Sequence, residues 1–318
     1  MDCKIILKKP TILAILVVLA IILLLIVVFF CRRPVVLVTD RAFNVLYGEK
    51  RSQYKQFSLS LCLFRRIKTV AIDEKASPDL VAQGALSLSL RPFAVFFPYR
   101  YKEAAMRYLK ARSGFPVVIL AGRKAQENNY ESENNSQDST MIPAASSGLL
   151  LWINTDSETD LYRAGTLAGI FTRHNKQNQE IALFHEDLNS EEIASFVTGL
   201  EGHQWDDFPI YSPELSEKDL SCAVILENFS FNEEKKADSL IFFTWMDPVL
   251  APWKTLAIFD DSPWTQIGPA LDILKGRRQS TFVPSEIITF RGDKTQKYIY
   301  NEINRSKILK KKVENADN

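Results

Sequence analysis

The stretch FAVFFPYRYKEAAMRYLKARSGFPVVIL, residues Phe93–Leu120, carries the pattern that decides the fold. It opens with an apolar run at Phe93–Phe97 and closes with a second run at Val117–Leu120, and each run predicts a short buried strand. Between them, Lys102–Arg112 predicts a helix that ends before Gly114. Apolar runs separated by a helix are typical of parallel strands in βαβ units, because a parallel sheet is covered on both faces.

The same alternation extends in both directions from this unit. Further strands are predicted at Val35–Thr39, Ile67–Ile72, Leu149–Ile153, Ile181–Phe184, Pro209–Tyr211, Ala223–Leu226, Leu240–Thr244 and Leu256–Phe259. Helices are predicted between them at Val45–Phe57, Pro78–Leu88, Asp156–Arg173, Ser190–Gly199 and Pro263–Leu274. About four or five βα units, a polar insertion and about four more units predict an α/β protein with two lobes of similar size.

The polar insertion separates the two halves of this pattern. It covers about 124–147, includes AQENNYESENNSQDST and has almost no core-forming residues, so it is expected to be disordered. We expect a first lobe at 34–155 that contains this insertion, a second lobe at 156–262, and a return to the first lobe, with a C-terminal tail, at 263–318.

An apolar segment precedes the predicted lobes. Thr11–Phe30, TILAILVVLAIILLLIVVFF, has no charged residue, and at about 1.5 Å per residue it spans the roughly 30 Å apolar core of a bilayer. Residues 1–33 are therefore expected to form a cytoplasmic stub and a transmembrane signal anchor. A cleaved signal peptide is disfavoured because the apolar part is long and ends in bulky residues. Lipid attachment at Cys31 is a third reading, disfavoured by the bulky Phe30 before it.

The charges around this segment predict its orientation. Lys4, Lys8 and Lys9 precede it, whereas Arg32 and Arg33 follow it. An excess of basic residues marks the cytoplasmic side, so the protein is expected in the cell membrane with one span. The soluble domain would then lie outside the cytoplasm, on the periplasmic side, with the lipid bilayer as its first partner.

Composition and missing motifs exclude several functional classes. The net charge of +1 provides no general field for nucleic acid. The three histidines include no pair at helical spacing, so neither a metal site nor a cofactor is expected. The sequence contains no P-loop, no G-x-G-x-x-G and no G-x-S-x-G, and we therefore expect a protein that is not an enzyme. Of its four cysteines only Cys62 and Cys222 fall in the folded part, so at most one disulfide is possible there.

Ligands of open α/β sheets bind beyond the carboxyl ends of the strands, and the polar and aromatic residues that follow predicted strands are the candidates. They are Asp40, Phe43, Asn44, Tyr99, Arg123, Asp156, Trp245, Asp260 and Trp264, with Arg100, Asp247 and Asp261 beside them. Aromatic rings stack on flat ligands, carboxylates accept hydrogen bonds from hydroxyl groups, and arginine holds an anion at two points. The set predicts a small polar ligand. The alternatives are that Asp40 and Asp156 cap helices and that Phe43 and Trp264 belong to the core.

Three segments resemble a known family. VVLVTDRAFN at Val35–Asn44 is similar to the D-x-S-F-N stretch of the basic membrane protein family of nucleoside-binding lipoproteins, with Ala42 in place of the serine. Glu158–Leu200 resembles that family's helix with an A-G-x-L-A-G core, followed by a strand and a helix that ends in F-x-x-G. LAIFDDSPW at Leu256–Trp264 resembles the G-x-D-D strand end of the wider type I periplasmic binding protein class.

The resemblance implies two Rossmann-like lobes with parallel sheets, joined by a hinge, that close on a ligand in the cleft. It places Phe43 and Asn44, and Asp40 with them, in a nucleoside site. Together with the anchor predicted from Thr11–Phe30, the resemblance implies a membrane-anchored solute-binding protein. It would deliver a nucleoside or sugar-like molecule to a transporter, such as an ABC-type permease, or to a receptor.

A membrane-tethered scaffold with the same fold and a degenerate cleft is the alternative. Loops that bind ligands use glycine so that the backbone can approach the ligand. The chain has only 12 glycines, and Thr39–Phe43 contains none. This scarcity weakens the transfer of the family's binding site and is the basis of the scaffold alternative.

Overall fold

The computed structural model describes residues 9–73, 75–123, 150–174, 181–185, 188–201, 220–226, 237–244 and 254–289. Their architecture is α/β, with two mainly parallel sheets flanked by helices, and this confirms the predicted fold class at that level. The predicted insertion at about 124–147 and the predicted strand Pro209–Tyr211 lie outside the described residues.

The described strands and helices follow one another in the predicted alternation. The strands are β1 (Val35–Asp40), β2 (Ile67–Ile72), β3 (Ala94–Pro98), β4 (Val117–Gly122), β5 (Leu150–Thr155), β6 (Ile181–Phe184), β7 (Leu220–Ile225), β8 (Ala237–Phe242), β9 (Thr255–Asp260), β10 (Phe282–Val283) and β11 (Glu286–Thr289). The helices are α1 (Lys9–Cys31), α2 (Arg41–Tyr47), α3 (Glu49–Cys62), α4 (Pro78–Leu88), α5 (Lys102–Ala111), α6 (Ser157–His174), α7 (Ser190–Glu201) and α8 (Pro263–Leu274).

The first sheet has the strand order β10-β5-β4-β3-β1-β2, and all its pairs are parallel. Side chains alternate between its two faces because a strand has a period of two residues. Val35 and Leu37 of β1 pack with residues of α2 and α8, whereas Val36 and Val38 pack with residues of α4 and α5. Every residue of β1 is buried, as expected for a central strand covered by helices on both faces.

The second sheet has the order β11-β9-β8-β7-β6. Its pairs are parallel except that of β11 with β9, which is antiparallel. Leu161, Leu167 and Phe171 of α6 share a core with Phe196 of α7 and with one face of the sheet, including Val224. A smaller apolar cluster, which includes Phe184, occupies the opposite face.

The chain passes between the two sheets at three places: from β5 to α6, from β9 to α8, and from β10 to β11. The sequence placed all of 263–318 with the first lobe. Residues of α8 do pack on the first sheet, and β10 pairs with β5 there. Glu286–Thr289 instead pairs antiparallel with β9 at the edge of the second sheet, after a link of only two residues from β10.

The segment predicted as one helix at Val45–Phe57 is two helices. Asp40 accepts a hydrogen bond from the backbone N–H of Phe43 and caps α2, which begins at Arg41, four residues earlier than predicted. Gly48 lies between the helices with φ of +88°, a conformation that side chains other than glycine rarely adopt. After this change of direction, Arg51 and Lys55 of α3 reach Asp260 and Glu286 of the second sheet.

The apolar segment before the first sheet forms α1, whose side chains are described at Ala14 and from Leu16 onward. Thirteen large apolar residues of this helix are exposed, among them Leu23, Leu24 and Phe30. Within the residues described in full, no helix combines the length and apolarity needed to cross a membrane.

The cysteines in the folded part are free: Cys62 is exposed and Cys222 is buried in the second sheet. Burial raises the pKa of the Cys222 thiol, and the thiolate is the reactive form. We expect a soluble thiol reagent to modify Cys62 rapidly in the native protein and Cys222 only after unfolding. Peptide mapping after timed labelling, with and without denaturant, measures both. Rapid native labelling of Cys222 would contradict the buried position of β7.

Candidate functional site

The carboxyl ends of the first sheet's strands place four predicted site residues along one edge. Asp156 follows β5, Arg123 follows β4, Arg100 lies just after β3, and Asp40 ends β1. Because β5, β4, β3 and β1 are neighbours in that order and all parallel, these residues form one row. We call them, together with Asn44, the carboxyl edge.

Asp40 and Arg100 form an ion pair within the carboxyl edge. The Nη1 atom of Arg100 lies 3.0 Å from Oδ2 of Asp40, while the other carboxylate oxygen caps α2. The Arg100 side chain is 46% exposed, so it keeps donors that can reach a ligand. Asn44 donates from its amide nitrogen to the Thr39 hydroxyl at 3.3 Å, which leaves its carbonyl oxygen without a partner among the described residues.

A second acidic group, Asp160, lies in the first turn of α6 and has no exposed side-chain surface. Two guanidinium groups contact it: Arg123 Nη2 at 3.3 Å and Arg163 Nη1 at 3.2 Å. Ser285 donates to it from its backbone N–H and from its hydroxyl at 2.5 Å. Burial raises the pKa of Asp160, and the two guanidinium groups and the Ser285 hydrogen bonds oppose that effect.

The Asp160 cluster also connects the two sheets. Arg163 donates to the backbone carbonyl of Ser285 at 2.8 Å, in the link from β10 to β11. The guanidinium of Arg123 lies 4.4 Å from the centre of the Phe243 ring, which follows β8 of the second sheet. This cation–π contact joins the carboxyl end of β4 to that of β8.

Asp260 forms the third acidic centre, at the end of β9, and is also fully buried. Its Oδ2 accepts hydrogen bonds from the Tyr47 hydroxyl at 3.1 Å and from Arg51 Nη2 at 2.9 Å. Its Oδ1 accepts the backbone N–H of Ser262. These partners bind α2 and α3 to the second sheet, so Asp260 holds the fold at this connection.

The alkaline stability of the protein tests the Tyr47–Asp260 contact. Burial, and then the negative charge of Asp260, raises the pKa of Tyr47, while Arg51 lowers it. The unfolded phenol ionises near pH 10 and the buried one does not, so this group's contribution is complete below about pH 10 and declines above it. We expect the free energy of unfolding of wild type to fall toward that of Tyr47→Phe by up to ~1.4 kcal/mol per pH unit.

Urea unfolding of both proteins between pH 8 and pH 11 measures that difference. Tyr54→Phe is the control, because Tyr54 is an exposed tyrosine on α3. Below pH 10, Tyr47→Phe is also expected to cost about 1.5–3 kcal/mol for the lost hydrogen bond to a carboxylate. A constant difference between wild type and Tyr47→Phe across this range would show that Tyr47 ionises as readily in the folded state.

Two predicted stacking residues lie in the core. Phe43 is 7% exposed and stacks on Tyr47, with ring centres 5.2 Å apart. Trp264 is 1% exposed and packs with α8 against the first sheet. Neither ring presents a face to a ligand. Both residues follow a strand and begin a helix, and the first turn of such a helix packs its apolar side chains onto the sheet.

Tyr99 and Asp156 have structural partners as well. Tyr99 lies in a single 3-10 turn after β3, and its ring centre is 6.2 Å from that of Trp152 and 4.9 Å from Nζ of Lys102. Asp156 accepts the backbone N–H of Thr159 at 3.0 Å and so caps α6. The other predicted residue, Trp245, and its neighbour Asp247 lie outside the described residues.

Sequence reasoning missed Asp160, Arg163, Ser285, Tyr47 and Arg51, which form most of the buried polar contacts at the connections. One signal was present for two of them: Asp160 and Arg163 are three residues apart on one face of a predicted helix. Ser285 lies 125 residues from Asp160 and has no local pattern that marks it. Among the described residues, no cluster of histidine, cysteine and acidic side chains could hold a metal ion.

Comparison with known proteins leaves the likeness at the level of the fold. No family model and no curated protein matches the chain. The Escherichia coli transcriptional repressor ascG has 14% identity and a TM-score of 0.39, with 82% of this chain and 98% of that chain covered. A sugar transporter from Clostridium phytofermentans has 12% identity and a TM-score of 0.38, with 82% and 100% covered. Nothing in these likenesses is specific to nucleosides.

Proposed function

We propose that the chain is a membrane-tethered solute-binding protein that holds a small polar ligand at the carboxyl edge of the first sheet. One observation carries the proposal: Asp156, Arg123, Arg100 and Asp40 follow four neighbouring parallel strands, where α/β sheets bind ligands. Carboxylate, amide and guanidinium groups together suit a ligand rich in hydroxyl groups. The proposed activity is binding and not catalysis.

A sugar-like ligand fits this edge better than a nucleoside. A nucleobase is held by an exposed aromatic face. Of the aromatic residues predicted for the site, Phe43 and Trp264 are in the core, and the ring of Tyr99 already contacts Trp152 and Lys102. The five residues of the carboxyl edge are all polar or charged. Arg100 is the most accessible of them, and it can bind a ring hydroxyl while it stays paired with Asp40.

The tether in this proposal is α1, which exposes a continuous apolar surface. Only Arg32, Arg33 and Pro34 separate it from β1, so the first lobe has little reach away from the bilayer. A partner such as a transporter permease would therefore lie in the same membrane. The orientation stays a prediction, and labelling of the exposed Cys62 with a membrane-impermeant reagent on intact cells tests it.

Ligand binding is tested on the full chain in nanodiscs. We expect thermal stabilisation by at least one member of a panel of monosaccharides, nucleosides and amino acids, because a ligand that binds only the folded state raises its stability. Arg100→Ala is expected to weaken that binding roughly tenfold or more, as for a lost charge-assisted hydrogen bond. Arg107→Ala is the matched control. Arg107 lies on α5, just after Arg100 in the chain, and its side chain is 43% exposed and pairs with Asp79.

The results separate the parts of the proposal. Saturable binding of a sugar that Arg100→Ala weakens and Arg107→Ala leaves unchanged would support it. Equal loss in both variants would place the ligand elsewhere. No stabilisation by any member of the panel would remove the binding function.

A scaffold without a ligand is the second candidate. It is favoured by the two buried carboxylates where the chain passes between the two sheets. Asp160 and Asp260 are each held by arginine, and Lys55 of α3 adds a 2.5 Å bridge to Glu286 of β11. Breaking a buried ion pair is costly, so these contacts resist the rotation that cleft closure needs. Small-angle scattering of the full chain that stays unchanged across the panel, together with specific cross-links to a membrane protein, would favour the scaffold.

A further inference from the structure

The junction between α1 and the first lobe concentrates positive charge. Arg32 and Arg33 directly follow α1, and Arg65 and Arg66 lie in the turn between α3 and β2. The turn packs against the end of the helix, with the rings of Phe29 and Phe64 5.6 Å apart. We call these four arginines the arginine patch.

The side chains of Arg32, Arg65 and Arg66 contact an aromatic ring or a backbone carbonyl. Arg32 lies 5.1 Å from the centre of Phe64, Arg66 lies 5.5 Å from that of Phe30, and Arg65 donates to the carbonyl of Arg33 at 3.1 Å. No ion pair involves the patch within the described part of the chain. Arg51, Arg100 and Arg123, by contrast, each bind an aspartate.

The like charges of the patch act on one another. Partial burial lowers the pKa of Arg65, and the positive charges of Arg32 and Arg33 lower it further. Repulsion among like charges at a junction is relieved when anions bind between them. Guanidinium groups bind phosphate through paired hydrogen bonds, which makes a phosphate the anion of best fit.

The position of the patch identifies the source of the phosphate. The exposed apolar side chains of α1 continue to Phe30, which is 57% exposed, and the patch begins two residues later. When an apolar helix lies in a bilayer, charged groups at its end reach the level of the lipid headgroups. Basic groups at that level attract anionic lipids.

We propose that the arginine patch binds the headgroups of anionic phospholipids and thereby docks the first lobe directly on the membrane. This inference rests on the membrane tether of the proposed function. It adds a second, electrostatic contact, formed by Arg65 and Arg66 from a part of the lobe that is remote in sequence from the helix. The lobe would then stand in a fixed orientation on the bilayer.

Docking can be measured at Cys62, which is exposed and adjoins the turn that carries Arg65 and Arg66. The full chain, with Cys3→Ser and Cys31→Ser, is labelled at Cys62 and reconstituted into phosphatidylcholine vesicles with or without phosphatidylserine. Quenching by a headgroup-attached quencher reports the docked fraction. We expect the ratio of docked to undocked lobe to rise roughly tenfold or more with phosphatidylserine and to fall with salt.

Matched double variants test whether the patch causes this response. Arg65→Gln with Arg66→Gln is expected to abolish the phosphatidylserine dependence, and so is Arg32→Gln with Arg33→Gln, whose side chains are exposed and less important for folding. Arg277→Gln with Arg278→Gln removes the same charge from the loop after α8 and is expected to leave docking unchanged.

Each outcome bears on one proposal. If the chain fails to co-float with either kind of vesicle, the membrane tether itself is wrong. If it co-floats with both and Cys62 quenching is independent of phosphatidylserine, or equally sensitive to all three double variants, the tether stands and the arginine patch does not bind lipid. A third result would also overturn the proposal. If millimolar inorganic phosphate abolishes docking while salt at equal ionic strength does not, the patch binds phosphate without specificity for lipid.

Discussion

Asp160→Asn is expected to lower the free energy of unfolding by roughly 3–5 kcal/mol, the cost of removing one partner from a buried ion pair. The substitution keeps the shape of the side chain and can still accept the backbone N–H of Ser285. It removes the only charge that faces both Arg123 and Arg163 among the described residues. Two largely buried guanidinium groups would then lose the carboxylate that binds them both, and only the charge of Asp156 would still act on Arg163 among the described residues.

The matched control is Asp79→Asn, which breaks an ion pair on the surface. Asp79 pairs with Arg107, and both side chains are well exposed. Exposed pairs contribute about 0–1 kcal/mol, so this variant should unfold close to wild type. Urea denaturation of the three proteins at pH 7, followed by circular dichroism, gives the difference directly.

The size of the loss on Asp160→Asn also shows whether the buried ion pairs add net stability. Burial raises the pKa of this carboxyl and burial lowers the pKa of Arg163, so desolvation acts against the charged forms of both. A loss below about 1 kcal/mol on Asp160→Asn would mean that the pair contributes no net stability, as happens when desolvation balances attraction. The cluster would then fix the geometry of the connections without stabilising them.

Gly165→Ala and Gly199→Ala are each expected to destabilise the protein by about 3 kcal/mol, near the upper end for overpacking. A Cβ atom on Gly165 would lie 2.2 Å from the backbone carbonyl oxygen of Phe196, and one on Gly199 would lie 2.2 Å from that of Tyr162. Because the obstructing atoms belong to helix backbones, relief requires α6 and α7 to move apart. That movement opens the core of the second sheet, which includes Phe196 and Leu167.

Gly114→Ala is the control for these two variants. No atom lies within 4 Å of a Cβ placed on Gly114, and its φ is outside the left-handed region. Replacing glycine there is expected to change stability by less than about 1 kcal/mol. Thermal unfolding of the three variants measures the contrast, and a Gly199→Ala protein with the Tm of wild type would show that the helices are not in this close contact.

These glycines also explain part of the family resemblance. The A-G-x-L-A-G and F-x-x-G segments resemble those of a binding family, and in this structure Gly165 and Gly199 meet at one helix crossing. Their function here is packing. Both segments are therefore explained by the packing of α6 on α7, without a ligand.

Much of the first sheet was predictable because its signals are local. The apolar runs at β1, β3 and β4 lie in the predicted places, and the helix between β3 and β4 ends near Gly114 as expected. The row of Asp156, Arg123, Arg100 and Asp40 follows from parallel strands alone, since their carboxyl ends share an edge. The helix caps at Asp40 and Asp156 were among the alternatives, and both form.

The direction of side chains could not be predicted from that placement. Phe43 and Trp264 follow strands as a binding ring would, yet both face the core because an amphipathic helix buries its apolar side against the sheet. Asp260 is at a strand end too, and Tyr47 and Arg51 enclose it completely. A position after a strand makes a residue available to a ligand only when no neighbouring helix covers it.

The sequence by itself determined the alternation of strands and helices, the α/β class and the apolar segment Thr11–Phe30, because each depends on residues within about one turn or one strand of each other. Only the tertiary structure decided which distant groups meet. Asp160 and Ser285 are 125 residues apart, Tyr47 and Asp260 are 213 apart, and the arginine patch joins two segments 32 residues apart. Contacts of this kind arise from sheet order and from the three connections between the sheets, and no local pattern of residues encodes them.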